Sequence, residues 1–421
     1  MKRIFLSILI SISIISSGRA MNGNPEKYFD AKGYFLFETF KAALDASEEK
    51  EEFVNEFLGC VKTGKYPLFI NDSTYVILYQ GKEDTVGVTG DMSNWKDIIP
   101  MEKFSGTDLH FLKAGAEADA RFEYWIMFGK NSFPALDQFN PYKGLSGFGQ
   151  VSELAMPQYK RHEYFDKYVS GEKGSTEGIN VHTVESKSLG YEHTVHVYLP
   201  AGYDNKKSYP AVYFQDGIDY LEFAQVKNIL DCLIKENKIV PLIAVFVTPP
   251  NRLKAGMPNR MTEYGMNDGY VKFFTDELVP FIDSNYSTIK NPGMRLVAGD
   301  SFGGLISAYI PFSRPDVFAL GYSQSGYQSF QNDRLIKLYA AENKKPLKLY
   351  VDTGLYERSV GLSFLPKEET DFLLANRRLK KVLEDKGYNF VYREYPEGHT
   401  WGNWKRHMID ALIYFFPIEV K

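Results

Sequence analysis

Residues 299–303 read Gly-Asp-Ser-Phe-Gly, which has the residue types and spacing of a nucleophile elbow. In that motif a strand turns sharply into a helix, and the serine hydroxyl projects from the bend. An apolar run precedes the motif here, and helix-forming residues 305–309 follow it. Because glycines let such a turn close tightly, this context predicts that Ser301 is a nucleophile for acyl transfer. A glycine-rich turn used only for packing is the alternative.

A serine of this kind needs a general base, and His399 is the best-placed histidine. It follows a glycine in the loop between the last predicted strand and the closing helix. The order nucleophile, acid, histidine along the chain is that of α/β-hydrolases. We expect the nearest rival, His407, on a partly exposed helical face. The other histidines all precede the elbow: His110, His162, His182, His193 and His196.

The acid that orients the imidazole should follow the strand predicted at 347–351. Asp352 and Glu357 both do so, and the sequence does not separate them cleanly. We favour Glu357, because it lies beyond a glycine in a loop that can turn back toward the histidine. In the alternative, Asp352 is the acid and Glu357 is a solvated residue paired with Arg358.

Acyl transfer also needs backbone N–H groups that stabilise the developing oxyanion. One should belong to Phe302, directly after the nucleophile. The second is expected in the loop 215–219, from Gly217 or Ile218. A plain Asp-Gly turn is the alternative for this loop.

Strand-like and helix-like segments alternate through the second half of the chain, which predicts an α/β fold with a mostly parallel sheet. The predicted strands are 193–199, 211–214, 242–247, 295–298, 319–322, 347–351 and 390–395. The predicted helices are 221–237, 270–285, 304–312, 370–386 and 404–416. Such sheets bind ligands at the carboxyl ends of their strands, which is where the candidate residues fall.

The preceding part of the chain predicts a helical segment at 21–62 and a small all-β sandwich at 63–165. A polar linker at 166–178 then leads into the α/β-hydrolase domain at 179–421. The segment 86–95 and the later 136–141 resemble the immunoglobulin-like modules that precede the catalytic domains of glycogen-branching and related glucan enzymes. This resemblance implies glycan contact through Trp95, although a tryptophan packed in the sandwich or against the next domain is the commoner use.

Residues 1–20 begin with Lys and Arg, continue with an apolar run and end in small residues, which predicts a signal peptide. We therefore expect a periplasmic or secreted protein without stable membrane insertion. With only two cysteines, Cys60 and Cys232, we expect thiols and not a disulfide framework. A net charge of -4 disfavours nucleic acid as a partner. No metal or organic cofactor is required by this chemistry.

The catalytic half resembles the esterase family that includes enterochelin esterase, feruloyl esterases and the mycolyltransferases. The matching segments are the Gln-Asp-Gly loop at 215–217, the Arg-Met-Thr-Glu-Tyr run at 260–264, the elbow, residues 354–357, and Gly-His at 398–399 with a tryptophan beyond. The run at 260–264 and that tryptophan are most similar to enterochelin esterases.

The resemblance implies that Ser301, Glu357 and His399 form a triad that hydrolyses esters. It places Arg260 near an anionic or catechol-like group, unless Arg260 is a structural partner of Glu263. The other substrate contacts that we expect on this basis are Asp216, Glu263, Trp401 and Trp404. Enterochelin esterases that act on imported siderophore are cytoplasmic, whereas this chain carries an export signal. Feruloyl or acetyl esters of polysaccharide therefore remain alternatives, as does a glycan-binding protein with a silent hydrolase domain.

Overall fold

A computed structural model describes residues 25–129, 134–162, 169, 173–251, 258–362 and 365–418. The predicted signal peptide lies outside the described residues. The first two helices are α1 (Phe37–Asp45) and α2 (Lys50–Cys60). They pack through buried aromatic rings on the sheet that contains residues 68–71 and 74–80. The rings of Phe40 and Phe57, for example, are 4.2 Å apart.

The sandwich consists of two antiparallel sheets. One has the strand order β1-β2-β6-β5 and the other the order β4-β3-β7-β9-β8. The bounds are β1 Leu68–Asn71, β2 Thr74–Gln80, β3 Val86–Gly90, β4 Ile99–Pro100, β5 Glu102–Lys103, β6 Leu109–Gly115, β7 Arg121–Phe128, β8 Lys143–Ser146 and β9 Gly149–Ala155. Apolar side chains from both sheets fill the space between them, as expected of two stacked sheets.

The second unit is built on one sheet with the strand order β10-β11-β13-β12-β14-β15-β16-β17. Strand β11 pairs antiparallel with both its neighbours, and the other pairs are parallel. The bounds are β10 Asn180–Ser186, β11 Tyr191–Tyr198, β12 Ala211–Phe214, β13 Ile243–Thr248, β14 Arg295–Asp300, β15 Leu320–Gln324, β16 Lys348–Gly354 and β17 Asn389–Tyr395. The central strands are buried on both faces, which explains their continuous apolar sequences.

Helices cover both faces of this sheet, so two apolar cores form, one on each side. Their bounds are α3 Gly217–Glu222, α4 Val226–Lys235, α5 Arg260–Tyr264, α6 Asp268–Lys272, α7 Val279–Asn285, α8 Phe302–Ser313, α9 Phe330–Ala341, α10 Phe372–Asp385 and α11 Trp401–Phe415. The predicted α/β architecture is confirmed.

Strand β10 and helix α9 were not predicted from the sequence. Strand β10 pairs only with β11 at the edge of the sheet, and exposed residues alternate along it with less exposed ones. Helix α9 opens with Gln331, Asn332 and Asp333 in left-handed conformation, so its regular helical pattern is short. The single helix predicted at 221–237 is two helices, because Gln225 adopts a left-handed conformation between α3 and α4.

Candidate active site

Ser301 lies at the bend between β14 and α8, with φ 55° and ψ -117°. A positive φ is costly for a residue with a side chain, and it is characteristic of this elbow. The bend is tight because small residues line it: a Cβ on Gly304 would lie 2.8 Å from the carbonyl oxygen of Gln324. The serine side chain thus stands at the carboxyl end of the sheet, at the N-terminus of a helix.

The structure brings His399 to this serine. The distance between His399 Nε2 and Ser301 Oγ is 3.0 Å. The imidazole is held between two aromatic side chains, Phe372 and Trp404, whose ring centroids lie 4.9 Å and 5.0 Å away with near-perpendicular planes. These contacts leave little rotational freedom to the imidazole.

Glu357 completes the arrangement, with its Oε2 atom 3.0 Å from His399 Nδ1. Its side chain is fully buried. The other oxygen, Oε1, accepts hydrogen bonds from the Ser325 hydroxyl at 2.5 Å and from the Gly354 N–H at 2.7 Å. Because an ionised carboxylate only accepts, the histidine proton is expected on Nδ1, which leaves Nε2 free to accept from the serine hydroxyl.

Asp352, the alternative acid, points elsewhere. Its carboxylate accepts a hydrogen bond from the Tyr322 hydroxyl at 2.7 Å, in a fully buried position at the end of β16. Burial, together with the nearby charge of Glu357, raises the pKa of Asp352 to about 8. The raised pKa favours the protonated form of this carboxyl group, whose hydrogen bond goes to Tyr322 and not to His399.

The predicted oxyanion donors belong to the first residues of two helices. The N–H of Phe302 begins α8, where the first helical N–H groups lack intrahelical partners. Gly217 begins α3 and packs so closely on the backbone of β13 that a Cβ would collide with it. The N–H of Ile218 donates to Thr248 Oγ1 at 3.2 Å, a long hydrogen bond.

The structure gives Arg260 a partner other than Glu263, whereas its contact with an anionic or catechol-like group stays a prediction. Its guanidinium forms two short hydrogen bonds from Nε to Asp216, 2.7 Å and 2.8 Å long, and a further one to the backbone oxygen of Asp300 at 3.1 Å. Asp216 is buried by this pairing and so offers no free carboxylate to a substrate. Arg260 thus joins the oxyanion loop to the residue before the nucleophile, and its partner is not Glu263.

Glu263 also lies away from the expected substrate contact. It is completely buried and accepts hydrogen bonds from Tyr191 at 2.9 Å and from His193 at 2.7 Å. Its role in this structure is to tie α5 to β11. The two tryptophans are likewise buried: Trp401 packs against Tyr220, and the indole N–H of Trp404 donates to Ser325 Oγ at 2.9 Å.

Two residues next to the site were missed by the sequence-based reasoning. Ser325 connects Trp404 to Glu357, and Phe372 packs on the imidazole. The only sequence signal for Ser325 is its position directly after an apolar strand, at the edge where the other candidates lie. Phe372 carries no such signal, because a phenylalanine at the start of a helix ordinarily indicates packing.

Trp95 contacts other residues of the sandwich. Its indole N–H donates to Asp91 at 2.8 Å, and its ring packs edge-on against Trp125 at 5.1 Å. Glycan contact through Trp95 stays a prediction. The cysteines are free thiols, as expected. Within the described ranges no cluster of three metal-ligating side chains occurs, and no helix has the length and apolar character to cross a membrane.

Several proteins of known sequence are similar to this chain. The family model described as "Putative esterase" matches residues 186–415. An uncharacterized protein of Bacillus subtilis, YjcH, is 29% identical over 227 residues, which are 54% of this chain and 92% of that protein. A protein of Xylanibacter ruminicola named endo-1,4-beta-xylanase/feruloyl esterase is 33% identical over 147 residues, which are 32% of this chain and only 20% of that protein.

Among solved structures, the ferric enterobactin esterase of Salmonella typhimurium superposes with a TM-score of 0.68 at 18% identity, covering 81% of this chain and 93% of that one. The likeness includes more of the chain than the hydrolase unit alone, and at this identity it shows a shared fold. The family model, in contrast, covers more than half of the chain and contains Ser301, Glu357 and His399. The chain therefore belongs to the esterase family that this model describes.

Proposed function

We propose that this protein is a serine carboxylesterase in which Ser301, His399 and Glu357 act as nucleophile, general base and orienting acid. The observation that carries the proposal is the line of contacts from Ser301 Oγ to His399 Nε2 and from His399 Nδ1 to Glu357 Oε2, both 3.0 Å long. This geometry lies within hydrogen-bond reach for a nucleophile and its base, with the base oriented by a third group.

In the acylation step, His399 Nε2 takes the hydroxyl proton while Ser301 Oγ forms a bond to the ester carbonyl carbon. The carbonyl oxygen becomes an oxyanion, which the N–H of Phe302 stabilises. The second donor is the N–H of Gly217, or that of Ile218 once it leaves Thr248 Oγ1. The tetrahedral intermediate then collapses: the bond to the alcohol oxygen breaks, and the proton on Nε2 goes to that oxygen. The products of this half-reaction are the free alcohol and an acyl-enzyme.

Deacylation repeats the sequence with water. His399 Nε2 removes a proton from the water molecule as its oxygen attacks the acyl carbon, and returns that proton to Ser301 Oγ as the acid leaves. Glu357 stabilises the imidazolium in both halves without taking the proton. No other group is needed to balance the reaction.

The proposed setting is outside the cytoplasm, because residues 1–20 have the pattern of a signal peptide. The proposed substrate is a trilactone siderophore of the enterochelin type, supported by the enterobactin esterase fold that extends over the sandwich as well. Feruloyl or acetyl esters of polysaccharide are the second candidate, supported by the relative named endo-1,4-beta-xylanase/feruloyl esterase.

Labelling by a fluorophosphonate and turnover of a p-nitrophenyl ester test the reaction. We expect the wild-type protein to be labelled and to turn over, whereas Ser301→Ala should be neither labelled nor active. Ser313→Ala, at the other end of the same helix, is the matched control and should behave as wild type. An unlabelled wild-type protein, or undiminished turnover by Ser301→Ala, refutes the proposal.

The substrate is tested by comparing kcat/KM for a trilactone siderophore, methyl ferulate and acetylated xylan. The highest value on the trilactone supports the first candidate. The highest value on either of the others supports the polysaccharide esters. Binding of glycan by the wild-type protein with no turnover of any ester supports a silent hydrolase domain instead.

A further inference from the structure

The loop that carries His399 is held from its other side by the sandwich. The backbone N–H of Arg121, in β7, donates to the carbonyl oxygen of Pro396 at 2.9 Å. The Arg121 guanidinium then reaches Glu397 at 3.1 Å. Residues 396 and 397 directly precede the Gly-His pair, so a strand of the sandwich contacts the loop within three residues of the imidazole.

These contacts belong to a buried network of charges that crosses between the two units. Arg121 also donates to Glu123 and Glu153, both at 2.7 Å, and Arg406 of α11 donates to Glu153 at 2.9 Å. All four side chains are almost completely buried. Although burial acts to raise it, the charges of His407, Arg121 and Arg406 lower the pKa of Glu397 to about 2. Glu397 is therefore held in its ionised form by the positive groups that surround it.

The fit between the units is tight at two glycines that flank the imidazole. Gly398 lies against the carboxylate of Asp91, and Gly402 lies against the side chains of Arg121 and Glu123. A Cβ at either glycine would collide with these groups. The loop thus has no room to shift toward the sandwich, and the ion pairs and the backbone hydrogen bond oppose a shift away from it.

The loop that carries Glu357 is held by the same domain. The N–H of Gly361 donates to the carbonyl oxygen of Asn94 at 3.0 Å. The ring of Tyr356, next to Glu357, packs on Phe122 of β7 at 4.8 Å. Two of the three proposed triad members therefore lie on loops that the sandwich touches, whereas Ser301 is fixed by the hydrolase sheet itself.

We infer that the sandwich positions His399 for the reaction, and that Arg121, through its contacts to Pro396 and Glu397, is a positioning residue for the base. The inference rests on the proposed triad and goes beyond it, because it assigns a role in chemistry to a residue of the preceding domain. Displacement of a catalytic group by about 1 Å is enough to cost on the order of 100-fold in rate. The contacts of Arg121 with Pro396 and Glu397 on the far side of the loop oppose such a displacement.

The test compares Arg121→Met, which removes the guanidinium, with Arg121→Lys, which keeps a positive charge, in the full-length protein. We expect Arg121→Met to lower kcat for the p-nitrophenyl ester by about 10- to 100-fold with KM changed less than about twofold. The rate of fluorophosphonate labelling should fall in parallel. Arg121→Lys should recover part of both rates.

The matched control is Arg161→Gln, because Arg161 also pairs with Glu153, at 3.0 Å, but from the exposed rim of the network. We expect it to keep wild-type kcat. Should Arg121→Met fail to fold, Glu397→Gln replaces it, since the amide preserves the shape of the side chain. Unchanged kcat in a folded Arg121→Met or Glu397→Gln variant overturns the inference, and so does an equal loss in Arg161→Gln.

A spectroscopic readout separates this inference from the proposed reaction. The Nδ1 proton that His399 shares with Glu357 should give a downfield proton resonance that is absent in His399→Gln. We expect this resonance to be shifted or lost in Arg121→Met. If the wild-type protein is never labelled, the reaction is refuted, and the resonance still decides whether Arg121 positions the imidazole; an unchanged resonance in Arg121→Met counts against it.

Discussion

The loop around His399 has two faces, and their polar groups are satisfied in opposite ways. On the sandwich face, Glu397 and Glu153 are paired with buried arginines. On the catalytic face, Glu357 receives hydrogen bonds from Ser325, Gly354 and His399, which are groups without a fixed positive charge. Among the described residues, no lysine or arginine forms an ion pair with Glu357.

This difference fits a structural role for Glu397 and the proposed catalytic role of Glu357. A carboxylate that is already neutralised by arginine gains little when a nearby imidazole becomes charged. In the proposed reaction Glu357 stabilises the charged imidazole, because its hydrogen bonds come from groups without a fixed positive charge. Ion pairs hold the loop on the sandwich face, and the proposed triad lies on the other face.

The largest expected effect is a difference in kcat between variants of His399 and His407, which lie on the two faces of the loop. His399→Gln removes the proposed base and should lower kcat on the order of 10⁴- to 10⁶-fold. His407→Gln removes a partner of Glu397 at 2.7 Å but leaves Arg121 in place, so kcat should fall by less than about tenfold. Steady-state kinetics on one p-nitrophenyl ester measures both. Equal losses in the two variants would contradict the division between the faces.

The next comparison tests the two carboxyl groups at the end of β16. Glu357→Gln should lower kcat on the order of 10⁴-fold, because an amide cannot hold the imidazole in the required tautomer or stabilise its charge. Asp352→Asn should change kcat by less than about tenfold, since its carboxyl contacts Tyr322 and not His399. A larger loss in Asp352→Asn than in Glu357→Gln would identify Asp352 as the acid.

On the sandwich face, Gly402→Ala tests how closely the units fit. The added Cβ would collide with Arg121 and Glu123, so the free energy of unfolding should fall by about 1–3 kcal/mol. Gly59→Ala is the control, because a Cβ at this helical position in α2 meets open space. There we expect a gain of about 0.5–1 kcal/mol from helix propensity. Urea unfolding measures both, and a stable Gly402→Ala would mean that the interface is looser than described.

The smallest effect concerns pH. Asp352 has a pKa of about 8 in the folded protein, which is above its ordinary value. At pH values between these two pKa values, the group is protonated in the folded protein and ionised in the unfolded chain. Folding then takes up a proton between about pH 4 and 8, so this group's contribution to stability falls as the pH rises through that range. Asp352→Asn cannot ionise and lacks this dependence. Its free energy of unfolding relative to wild type should rise from pH 5 to pH 8, by at most about 1.4 kcal/mol per pH unit. A pH-independent difference would contradict the buried neutral state.

The sequence was informative wherever chemistry requires a local pattern. The elbow around Ser301 and the Gly-His pair at 399 depend on neighbouring residues, and the structure brings these two side chains to within 3.0 Å of each other. The strands that lead to them are apolar runs, which the α/β alternation revealed. Between Asp352 and Glu357 the sequence supported only a preference for Glu357, because the choice depends on the direction in which a loop turns after β16.

Side-chain pairings between distant segments could not be predicted from the sequence. The alternative to a substrate contact for Arg260 was pairing with Glu263, three residues away, whereas it pairs with Asp216 in a different loop. The contact between Arg121 and Glu397 joins residues 276 positions apart, and nothing local to either residue indicates it. Tryptophans 401 and 404 were expected to face a substrate, but helix α11 places them in the apolar core beside the sheet. Burial of this kind follows from tertiary packing alone.

The network of Arg121, Glu153, Glu397 and Arg406 should couple the unfolding of the two units. Separating the units would leave several charges exposed or unpaired on both sides, which makes a half-unfolded species costly. Calorimetry should accordingly record a single heat-absorption peak instead of one for each unit. A chain cut between positions 163 and 172 should migrate as one particle until denaturant is added.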